Sequence, residues 1–71
     1  MNRETTEFVI YIINQIANIK NMSPSKVYSI LNKTGCIKEY LVPLYDVLHT
    51  LSSNQVAEDV IEFVTTRGEV I

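Results

Sequence analysis

A chain of 71 residues makes one small domain, spanning residues 1–71, and leaves no room for a second. Apolar residues make up 46% of it and charged residues 20%, which excludes a disordered chain. The net charge of −2 is unevenly spread: Lys20 to Lys38 holds four lysines and no acid, and Glu39 to the end holds six acids against Arg67 alone, a balance that disfavours nucleic acid as a partner.

The opening MNRETTEF carries both signs of charge and no apolar core segment, so a secretory signal is not expected there. The longest apolar run, Phe8 to Ile13, is far short of the ~20 residues a membrane span needs. FVIYII is rich in β-branched residues and could form a buried strand. The apolar pattern nevertheless continues at helical spacing through Ile16 and Ile19, which predicts a first helix over 6–20. Phe8, Ile12, Ile16 and Ile19 form one stripe, with Val9, Ile13 and Ala17 beside it. At ~100° per residue the apolar arc covers about 200°, twice what a surface helix needs, so burial on two sides is expected.

The second helix is predicted over 24–34. Ser23 is a suitable N-cap, Pro24 fits the first helical position, and Met22 with Val27 occupies the staple positions. Val27, Ile30, Leu31 and Thr34 make its inner face. Gly35 stops it, because a left-handed residue after a helix is cheapest as glycine. Cys36 follows, placed to pack on Leu31. As the lone cysteine it excludes an intrachain disulfide and suits a reducing, cytoplasmic setting.

The third helix is predicted over 37–50. Ile37, Leu41, Leu44, Leu48 and Leu51 repeat at heptad spacing, and the register runs through Pro43 unbroken. That predicts one helix kinked at Pro43, with the proline facing solvent. The rival is a break with Pro43 opening a new helix, which would need Val42 as a poor N-cap. The fourth helix is predicted over 53–67. Ser52 and Gln55 make a capping box, Leu51 and Val56 a staple, and Gly68 the stop. Val56, Val60, Phe63 and Val64 face inward, Glu58, Asp59 and Glu62 outward, and Glu69 to Ile71 form a loose tail. The fold expected is all-α, a compact bundle of four short helices.

Chemistry-bearing residues are few. His49 is the one histidine. As a general base it would need a nucleophile and an orienting partner. Asp46 could orient it, but Cys36 lies ~20 Å away along a continuous helix. Zinc would need about four close ligands, and one Cys with one His does not supply them. The structural alternative places His49 in the last turn of its helix, bonded to Asp46 or to a carbonyl of that turn. No phosphate loop, catalytic carboxylate pair or nucleophile elbow is present. The reading is therefore a non-enzyme without cofactor or metal.

Surface tyrosines suit contact with another protein, being apolar in body and polar at the tip. Tyr11, widened by Ile10, and Tyr40 are the candidate interaction residues; Tyr28 and Tyr45 are expected at the edge of the core. The turn Asn32-Lys33-Thr34-Gly35 between two helices suggests a helix-turn-helix that reads DNA. Its second helix offers only Lys38 for base contact, beside Glu39, Pro43 and Asp46. The acid stripe of the fourth helix could attract a basic partner or simply be a solvated face.

FVIYIINQIA, SPSKVYSILNKTGCIKEYL, YDVLHT and DVIEFV, in that order, resemble a family of small bacterial proteins catalogued as domain of unknown function 3791. The resemblance brings no catalytic residue. It implies a non-enzymatic protein whose gene neighbours include small proteins similar to ADP-ribosyltransferase toxins, and hence an antitoxin-like partner. Pro43 departs from the expected pattern. The leading expectation is a cytoplasmic protein–protein interaction module whose partner is itself or another protein; a DNA-binding regulator is the alternative.

Overall fold

The computed structural model describes all 71 residues. Asn2 opens the first helix: its Oδ1 accepts the Thr5 backbone N–H at 2.8 Å, satisfying one of the donors every helix start leaves orphaned. Helix α1 accordingly runs Arg3–Lys20, three residues longer at its start than the apolar pattern indicates. Asn21 ends it in the left-handed conformation, and the Met22 N–H turns back to the Ala17 carbonyl at 2.9 Å. Helix α2 covers Pro24–Thr34, with the Ser23 Oγ accepting the Lys26 N–H. Gly35, at φ +82°, closes it through N–H donation to the Leu31 and Asn32 carbonyls.

The third predicted helix is the one that differs. Residues Ile37–Leu41 form a π-helix, Val42 to Leu44 form turns, and Tyr45–Leu48 form a short α3. The predicted single kinked helix over 37–50 and the four-helix count are therefore corrected to five helical segments. A proline ring collides with the carbonyl four residues back, here Glu39. The turn before Pro43 is widened, with the Val42 N–H donating to the Ile37 carbonyl five residues back at 3.0 Å. Pro43 faces solvent. The leucine stripe divides as a result. Ile37, Leu41 and Leu48 are buried, whereas Leu44, at a non-helical turn, and Leu51, beyond the end of α3, are more than two-fifths exposed.

Helix α4, Ser53–Thr66, begins with the Ser52 Oγ accepting the Gln55 N–H at 3.1 Å. The Gln55 side chain donates to Asp59 instead of returning to the cap, so the box is half made. Gly68, at φ +88°, donates to the Thr65 carbonyl and the Glu69 N–H to that of Val64, a glycine-based helix stop. The tail is not loose, as the sequence suggests. Glu69 pairs with Lys33 at 2.9 Å and Ile71 packs against the core, leaving Val70 as its exposed residue.

Helix α1 lies between α2 and α4, which explains its wide apolar arc. The core is one cluster. Ile12 and Ile16 of α1, Val27 and Leu31 of α2, Leu41 of the π-helix, and Val56, Val60 and Val64 of α4 have no exposed surface. No helix is long and apolar enough to cross a membrane.

Candidate interaction surface

The two ends of the π-helix lead to different surfaces. On one side Glu39 and Tyr40 meet the last turn of α4. Arg67 holds the Glu39 carboxylate with two nitrogens, at 2.9 and 3.4 Å, and donates to the Thr34 carbonyl at 3.2 Å. Its guanidinium lies 4.6 Å from the centre of the Phe63 ring, which stacks on Tyr40 at 5.7 Å. Hydrogen bonds from Arg67, and then its charge, hold the Glu39 carboxyl below the usual carboxylate range. Gly35 leaves the room: a methyl group there would run into the Glu39 carboxylate. This clamp joins the ends of α2 and α4 to the π-helix. An open cleft of about 410 Å³ beside it is lined by Tyr40, Phe63, Arg67, Thr66 and the carboxylates Asp59 and Glu62. Burial, then the charges of Asp59, Cys36 and Glu62, raises the Tyr40 phenol above its ordinary value.

On the other side α1 and α2 splay to leave an apolar groove of about 380 Å³. Thr6, Val9, Ile10 and Ile13 of α1 form one wall; Tyr28 and Asn32 of α2, one turn apart, form the other. Ile37 and Lys38 of the π-helix complete the lining with Met1. Ile10, Tyr28 and Met1 are 52%, 49% and 71% exposed, so the groove presents large apolar groups to water.

The candidate interaction residues do not converge. Ile10 lines the groove. Tyr11, 56% exposed, is the next residue and so points about 100° away round α1. Tyr40 lies in the polar cleft on Phe63. Tyr28, expected at the edge of the core, is half exposed and supplies the second groove wall. Tyr45 is half-buried, edge-on to Phe8 at 5.4 Å.

His49 sits where α3 ends. Its Nδ1 is 2.8 Å from the Tyr45 carbonyl, which can only accept, so that nitrogen carries the proton. The ring stacks on Tyr45 at 4.6 Å. Asp46, the other candidate partner, is exposed in the first turn of α3, and His49 bonds the carbonyl instead. No group of three His, Cys, Asp or Glu side chains is placed to hold a metal ion. Cys36 has no exposed surface. Burial, opposed by the charge of Arg67, pushes its thiol up to about 12, far from the thiolate a nucleophile needs. The segment after Gly35, where a recognition helix would lie, is five residues of π-helix, and its Glu39 is engaged by Arg67.

The Arg67 clamp has a sequence signal that pattern reading leaves unused. Arg67 is the one cation of the acidic half, at the end of a helix. The groove has a weaker signal, because its walls depend on which flank of α1 receives α2.

Comparison with known proteins gives one match. The model of a family described as protein of unknown function (DUF3791) matches residues 7–67. Searches of curated proteins and of solved structures return no match.

Proposed function

We propose that this chain, which belongs to the DUF3791 family, is a non-enzymatic module that binds another protein through the groove between α1 and α2. One observation carries the reading. Ile10 and Tyr28, large apolar residues on opposite walls of a concave site, are each half exposed in a chain small enough to need every apolar contact. Residues of this kind at the centre of a concave patch are where binding energy concentrates. The reactive side chains support the same reading: His49 is bonded to its own helix and Cys36 is enclosed by the core.

A cytoplasmic, antitoxin-like partner of a neighbouring toxin, in a bacterial host, is the more specific form of this proposal and rests on the family resemblance. The DNA-binding alternative has less support. Its recognition segment is short, one of its lysines lies at the groove, and Lys33 is paired with Glu69.

Photo-crosslinking tests the proposal. A photoreactive residue placed at position 10 should give a discrete protein adduct in the native host. One placed at Thr66, on the far cleft, should not. Adducts at Thr66 alone, or none at either position, would refute the groove as the binding surface.

A further inference from the structure

We infer that the occupant of the α1–α2 groove is an amphipathic helix flanked by carboxylates, supplied by a partner protein; this rests on the reading of the groove as a binding surface. Three observations define it. The first is charge. Lys38 is the charged side chain in the lining, and it has no salt-bridge partner. The stretch from Lys20 to Lys38, which includes the whole of α2, holds no acid. The nearby acids of α1 do not offset Lys38. Glu7 is paired with Arg3, and Glu4 lies about 120° round α1 from Ile10. Glu39 is held by Arg67. An apolar slot with one unpaired lysine in its lining thus meets solvent, and its complement is an apolar stripe with a carboxylate beside it.

The second observation is backbone chemistry. This chain is helical throughout and has no strand edge to lend main-chain hydrogen bonds. A segment lying in this groove finds no main-chain ladder to join, so a helix, which satisfies its own backbone, suits it better than an added β-strand. The α1 wall from Thr6 to Ile13 rises roughly 10 Å, enough for two turns of a bound helix. The third observation disfavours a symmetric second copy. A two-fold interface through this groove would bring Lys38 and its twin into one interface, with no acid in either lining to pair them.

The test is a selection from displayed random peptides of roughly 16 residues, long enough for marginal helicity, against the full chain. Clones are retained if Ile10→Glu or Tyr28→Ser abolishes binding while circular dichroism shows that the variant is folded. The expected clones carry apolar residues at i, i+3 or i+4, and i+7, with a net negative charge. Their affinity should fall about tenfold for Lys38→Glu and weaken as salt rises. Retained clones without acidic bias, or indifferent to Lys38→Glu, would overturn the acidic partner and leave the groove reading standing. No clone sensitive to either groove variant would overturn both. A chain that dimerises in light scattering, with the dimer lost in Ile10→Glu, would overturn the partner helix in favour of a second copy.

Discussion

The Arg67 clamp and the α1–α2 groove are separate surfaces of one small domain and treat their side chains in opposite ways. At the clamp the side chains meet partners within the chain: Glu39 and the Thr34 carbonyl meet Arg67, and the rings of Tyr40 and Phe63 stack. At the groove Ile10, Tyr28 and Met1 are left half or more exposed, and Lys38 has no salt-bridge partner. Under the proposed function, the difference separates maintenance of the fold from exposure to a partner.

The core should break first. Ile16 has no exposed surface, and Ile16→Ala should cost about 2–5 kcal/mol, enough to leave much of the population unfolded near body temperature. Chemical denaturation measures it; a cost under about 1 kcal/mol would mean that the site collapses around the smaller residue.

Gly35→Ala sharpens the comparison at the clamp. The left-handed conformation costs a residue with a Cβ about 1–2 kcal/mol, and the new methyl would displace the Glu39 carboxylate from Arg67. Gly68→Ala meets the same backbone strain with open space around it. The Gly35 variant should therefore melt below the Gly68 variant; equal melting would show that the clamp adds nothing.

Acid should weaken the clamp as well. The folded Glu39 carboxyl lies below its unfolded value, so its contribution is present above the ordinary carboxylate range and is lost as pH falls through the depressed value. Because the pair is exposed, salt screens it. Glu39→Gln should flatten this part of the acid limb in a stability–pH curve. An unchanged limb would assign it to other carboxylates.

A smaller effect is expected at His49. His49→Ala removes the stack on Tyr45 and the bond to the Tyr45 carbonyl, a loss of about 0.5–1 kcal/mol in a thermal melt. Unchanged stability with lost partner binding would place the ring in an interface instead.

Much of the scaffold was legible in the chain because local signals agreed with the pattern. Ser23 with Pro24, Gly35, Ser52 and Gly68 mark helix ends that need only neighbouring atoms to form. Asn2 and Asn21 are equally local caps, but they lie outside the apolar stripe, which carries no sign of them. Pro43 misled because periodicity records which residues are apolar and not whether the backbone between them stays helical. Leu44 and Leu51 fit the stripe, yet a widened turn and an early helix end leave them half in water. The groove was only half legible. Ile10 stood out as an apolar residue beside the polar face of its helix. Its partner wall, Tyr28 and Lys38, comes from residues far along the chain whose proximity depends on how α2 docks.

The most direct test of the division between a closed side and an open one compares the melting of Ile10→Glu and Arg67→Ala with that of the parent chain. Ile10→Glu should stay within about 0.5 kcal/mol of the parent, because half of the Ile10 side chain already meets water. Arg67→Ala should melt distinctly lower. The reverse order, with the glutamate unfolding the chain and loss of the arginine passing unnoticed, would place Ile10 in the core and contradict the account.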